Sequence, residues 1–154
     1  MENQQASPSK IVYYHDPHGE RRRIRETQDG TSGLFREDTV NRFTAAVDCP
    51  SPQTLLLAME QFLAGGVVQT AVVVGLGLAQ VHPRDNFNKD MGRKFASGRM
   101  KYEPMPIRDM QVYDSGRMHV TVESSEGYFL SLFYIRDKKR VLLSCVSRRH
   151  SLAD

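Results

Sequence analysis

Apolar positions along the chain change their period several times, and each change marks an element. Lys10-Ile11-Val12-Tyr13-Tyr14-His15 is β-prone, and Asp16-Pro17-His18-Gly19 carries turn chemistry, with proline at the second position and glycine at the fourth. Glu20 to Thr27 is expected to return as the second strand of a hairpin, its arginines suiting an exposed edge. Gln28 to Gly33 reads as loop, and Arg42 to Val47 leans to strand over a short helix. Ser51 as cap, Pro52 at the first position and Gly65-Gly66 at the end delimit a first helix. Its body is apolar on most sides, which predicts burial against a sheet. Val67 to Val81 is a valine-rich central strand, in which Gly75 and Gly77 mark a bulge or a close backbone approach.

A second helix is expected from an Asp85 cap to about Ser97, ended by Gly98. Pro104 and Pro106 make Tyr102 to Ile107 an extended connector. Four strands follow, Met110 to Tyr113, Arg117 to Ser124, Tyr128 to Arg136 and Arg140 to Ser147, separated by glycine- and lysine-bearing turns. In Arg117 to Glu123 the alternation is clean: Met118, Val120 and Val122 face in, Arg117, His119, Thr121 and Glu123 out. The fold class is α+β, with an N-terminal β-hairpin, two α-helices packed on one sheet and a C-terminal antiparallel β-meander. Residues 1–9 form a flexible tail, and 10–150 a single domain.

Composition narrows the class of protein. The chain of 154 residues is 40% hydrophobic and 25% charged, too apolar for a disordered segment. Cys49 and Cys145 are the only cysteines, with no CxxC, so neither a disulfide framework nor a zinc site is expected; Cys145, in an apolar run, reads as a buried free thiol. Met1 to Lys10 has no apolar centre for a signal peptide, and Val67 to Val81 is too interrupted to span a membrane, so a cytoplasmic protein is expected.

The net charge of +3 is mild, but its distribution is uneven. Cations gather in Arg21-Arg22-Arg23-Ile24-Arg25, in Arg84 to Lys101 and in Arg136 to Arg149. The middle run sets six basic residues against Asp85 and Asp90. At about 100° per residue Phe87, Met91 and Phe95 fall on one stripe, with Gly98 beneath. That stripe is expected in the core, leaving Lys89 and Arg93 opposite it and Lys94 and Arg99 flanking it. Gly92 costs the helix ~1 kcal/mol relative to alanine. With Ala96 it makes a small-residue strip that admits either the sheet or a nucleic-acid backbone.

The block Pro83-x-Asp85-x-Phe87 followed by Gly92-Arg93-x-x-Ala96-x-Gly98-Arg99 resembles one in short uncharacterised bacteriophage and prophage proteins. The resemblance is confined to residues 83–99; it implies a phage-like origin and no particular chemistry.

Other constellations reduce to structure. Val72-Val73-Val74-Gly75-Leu76-Gly77 lacks the third glycine of a dinucleotide fingerprint, and Pro83 cuts the helix such a site requires. His15, Asp16 and His18 are explained by the turn rather than by a metal. A metal-independent nuclease would have to rest on His119 beside Arg117, or on His82. Tyr128 and Tyr134 share one strand face and Phe129 and Phe133 the other; their apolar neighbours make both faces read as core rather than as a base-stacking platform.

The expected function is therefore that of a non-enzymatic nucleic-acid-binding accessory protein with no cofactor. Lys89, Arg93, Lys94, Arg99 and Lys101 contact phosphates, aided by Arg21, Arg22 and Arg23. The alternative is a protein-interaction module, such as a phage-encoded inhibitor of a host or defence enzyme, or a small virion component. The partner is nucleic acid in the first case and a host or phage protein in the second.

Overall fold

The computed structural model describes residues 10–25, 35–40, 42–82, 85–113 and 116–148, with the backbone alone at 20–25 and 35–40. Strands β1 (Ile11–Asp16), β2 (Glu20–Arg25), β3 (Phe35–Val40) and β4 (Arg42–Asp48) precede helix α1 (Pro52–Leu63). Strand β5 (Val73–Val81), helix α2 (Lys89–Gly98) and strands β6 (Lys101–Pro104), β7 (Ile107–Val112), β8 (Arg117–Glu123), β9 (Tyr128–Ile135) and β10 (Arg140–Arg148) follow. The mixed α and β content is as expected. Two compact units divide the chain, one of residues 1–12, 47–76 and 101–154, the other of 13–46 and 77–100.

In the first unit β7 to β10 form an antiparallel sheet in the order β10-β9-β8-β7. One face of it is core: Met118, Val120, Val122, Leu130, Leu132 and Tyr134 are all buried. The alternation expected over Arg117 to Glu123 is the one observed. Helix α1 packs on β7 and β9 and buries Leu55, Ala58 and Met59. Ser51 caps it, accepting from Thr54 N at 3.2 Å, and Pro52 opens it. The rest of that apolar helix is less enclosed than expected, since Leu57 and Leu63 are exposed. One packed stripe satisfies a surface helix.

In the second unit β1, β4 and β5 are neighbours within the order β1-β4-β5-β6, and α2 lies against β4 and β5. A separate two-stranded sheet pairs β2 with β3. The Asp16 turn forms as expected: its carboxylate accepts from the backbone N–H groups of His18 (3.2 Å) and Gly19 (2.9 Å), and Gly19 takes a positive φ of 57°. It does not close a hairpin, however. Strand β1 joins one sheet and β2 another, so the turn redirects the chain.

The expectation of one shared sheet is likewise corrected, because among the described residues the strands divide among three sheets and each helix packs on a different one. Tyr102 to Pro104, expected within the extended connector, instead belongs to a strand, β6, paired with Val73 to Leu76. Pro104 sits at the edge, where its missing N–H costs no ladder bond. The valine-rich strand starts at Val73 and not at Val67, which is 84% exposed. Among the described residues no helix is long and apolar enough to cross a membrane.

Candidate nucleic-acid interface

Helix α2 begins three residues later than its sequence suggests. Asn88 is the cap, its side-chain oxygen accepting from Met91 N at 3.0 Å. Asp85 instead closes a turn by donating its N–H to His82 O at 2.9 Å. Arg42 holds that turn, donating to the carbonyls of His82 and Asp85 at 2.8 Å each. Phe87 thus stands before the helix, half-buried and edge-on to the His15 ring with centroids 5.9 Å apart. At the far end Gly98 is the last helical residue and Arg99 the cap.

The inward face of α2 is the small-residue strip and not the aromatic stripe expected in the core. Gly92 and Ala96 are its buried residues, whereas Met91 is 51% and Phe95 44% exposed. Two close approaches explain the choice of face. A Cβ added to Gly92 would collide with Thr44 Oγ1, and one added to Gly77 would overlap Ala96 O and stand 2.8 Å from Met100 N. Helix and strands meet backbone to backbone around Ala46, Ala79 and Ala96, with Met100 packed alongside. A phenylalanine has no room in that seam. The small-residue strip is therefore a packing surface for the sheet, and the large side chains turn outward.

This rotation sets the surroundings of the cations. Lys89 and Lys94 are exposed and make no ion pair among the described residues, and Lys94 shares the outward face with Met91 and Phe95. Arg99 lies across the Phe95 ring, its guanidinium carbon 5.6 Å from the centroid, and donates to Leu78 O at 3.2 Å. Arg93 is half-buried and paired with Asp90, which shares its charge. Lys101 is exposed at the start of β6, in the other unit. Arg21, Arg22 and Arg23 lie on β2 with their backbones opposite Thr39, Asp38 and Glu37, and their side chains lie outside the described residues.

Sequence reasoning missed His15 as part of this region. Its Nδ1 lies 2.8 Å from the hydroxyl of fully buried Thr44. Burial, foremost, and then the positive charges of Lys89 and Arg93 hold its pKa below the ordinary 6.5. The signal available in the sequence was the Gly92–Ala96 spacing, which marks the packing side of the helix.

The remaining candidates fall elsewhere. His119 is half-buried, its ring 5.0 Å from that of Phe133, rather than simply exposed. His82 is exposed. Among the described residues no three His, Cys, Asp or Glu side chains gather as a metal set. Both cysteines are free, and Cys145 is half-buried where full burial was expected. Cys49 is pushed up to about 11, by burial first and by the neighbouring Asp48 carboxylate second. Comparison with protein-family models, with curated proteins and with solved structures finds no match to this chain.

Proposed function

We propose that the chain is a non-enzymatic, phage-like accessory protein that binds nucleic acid, with the exposed cations of α2 as its contact. The observation that carries this reading is the pair Lys89 and Lys94, exposed and without an ion pair among the described residues, on a helix whose other face is locked to the sheet. Such cations displace the counterions condensed on a phosphate backbone, which gives affinity without any base contact. Arg99 over Phe95 adds a guanidinium beside a ring, an arrangement that suits unpaired bases. Retention of a labelled oligonucleotide at low salt, falling steeply as salt rises, is the expected result. No retention of DNA or RNA at low salt ends the reading.

The outward Met91 and Phe95 favour a second reading, a protein-interaction module. Met, aromatic and Arg side chains are enriched in the centres of protein interfaces. A pull-down from host lysate after nuclease treatment separates the two. Partners that persist and depend on Met91 and Phe95 support the protein reading, and partners that all vanish with the nucleic acid support the first.

A further inference from the structure

We infer that the open face of the β7–β10 sheet is a base-stacking surface for single-stranded nucleic acid, an inference that rests on the nucleic-acid reading and adds a site and a substrate class to it. The cross-strand register puts Gln111, His119, Phe133 and Leu142 in one row across the sheet. Ile135 stands in the next row between Arg117 and Arg140, and Phe129 lies farther along the same face. The aliphatic core is on the opposite face, where Met118, Val120, Val122, Leu130, Leu132 and Tyr134 are buried.

The solvent side of an antiparallel sheet normally carries polar residues at these positions. Here Phe129, Phe133 and Ile135 are only half-buried, and Leu142 is 42% exposed. The rings gather around Phe133. His119 is 5.0 Å away and Tyr113 6.4 Å away, centroid to centroid, and Tyr113 is fixed by donating its hydroxyl hydrogen to Gln111 Oε1 at 2.8 Å. An apolar, aromatic row on an open face marks a contact surface.

Charge decides which contact. Arg117 and Arg140 are exposed one row from Phe133, about 7 Å along the strands. Arg136, Lys138 and Lys139 in the adjoining turn are exposed too, with Asp137 the acid among them. The acids of this face lie on the other side of Phe133: exposed Asp109, on β7, is one row away, and Glu123 lies farther along, where Arg108 donates to it at 2.6 Å. Aromatic rings beside a cationic rim suit a strand that offers base faces and phosphates within one nucleotide of each other. A duplex hides its base faces and cannot use the rings. An acidic peptide would use the rim but gain little from the ring row.

The test is fluorescence anisotropy of the full chain with labelled oligouridylate, oligothymidylate and a duplex of the same length. The unsubstituted chain is expected to hold the single strands about tenfold more tightly than the duplex. Phe133→Leu, which keeps the apolar volume, should cost the single strands about tenfold, and Arg117→Gln with Arg140→Gln should reduce the salt dependence of their binding. Single-strand affinity unchanged in both variants but lost in Lys89→Gln/Lys94→Gln overturns the sheet surface and leaves α2 as the interface. No binding of any oligonucleotide overturns the nucleic-acid reading and the sheet surface together, and polyglutamate binding as tightly as oligouridylate overturns the base-stacking assignment. Photocrosslinking of 5-iodouridine oligonucleotide to the unsubstituted chain needs no variant to fold. Crosslinks on Tyr113, His119 or Phe133 are expected, and crosslinks confined to α2 contradict the inference.

Discussion

Helix α2 and strand β9 both carry bulky apolar side chains, yet they orient them by opposite rules. In β9 the bulky side chains of one face, Leu130, Leu132 and Tyr134, enter the core. In α2 the bulky Met91 and Phe95 stay outside, and Gly92 and Ala96 go in. The sheet meets a helix across a layer of side chains, which needs volume, whereas α2 presses its backbone on Gly77 of β5 and its Gly92 on the Thr44 side chain of β4, which forbids it. Periodicity says which residues share a face. The space left by the opposing element says which face is inward.

Adding volume to the α2 seam is the strongest way to break this comparison. Gly77→Val should destabilise the fold by about 3 kcal/mol or more, at or beyond the top of the usual overpacking range, because its side chain would meet helix backbone rather than a movable side chain. Leu132→Ala, which removes volume from the sheet core, should cost ~2–5 kcal/mol. Phe95→Ala, if the helix is oriented as described, should stay within about 0.5 kcal/mol. Urea denaturation of the three variants ranks them. A Phe95→Ala loss as large as that of Leu132→Ala would return the ring to the core.

The sequence made much of this legible. The Ser51–Pro52 start, the Asp16 turn and the four-strand meander follow from local chemistry and period, and they are where the residues put them. What could not be read was partnership. The β1 turn looks like a hairpin because turn chemistry is local, while the choice of sheet depends on β4, far along the chain. Asp85 looks like a cap because the pull of Arg42 on the His82 and Asp85 carbonyls is invisible from the neighbouring residues. At the candidate site the cations were identifiable as a group. The ion pair of Arg93, the ring under Arg99 and the burial of His15 required the fold.

Smaller effects sharpen the same contrast. Because the folded-state pKa of His15 lies below its unfolded value near 6.5, the unfolded chain takes up the proton more readily. Its contribution to stability is present above pH 6.5 and declines as the pH falls through the folded value. Denaturation followed from pH 7.5 to pH 5 should show that decline, and His15→Gln should flatten it; an unchanged slope would mean that neither burial nor the two cations lower the pKa of the ring. Smallest of all, the Cys49 thiol at about 11 should resist iodoacetamide at neutral pH in the folded chain and react once the chain is unfolded in urea. Rapid modification of folded Cys49, read by mass spectrometry, would contradict its burial.

The salt dependence of oligonucleotide binding, compared between the unsubstituted chain and Lys89→Gln/Lys94→Gln, tests the functional claim most directly. If both lysines contact phosphates, log Kobs against log salt should lose about 0.7–0.9 of slope per lysine removed, with weaker binding at every salt concentration. Identical slopes and affinities in the two proteins would show that the exposed lysines of α2 meet something other than a polyanion.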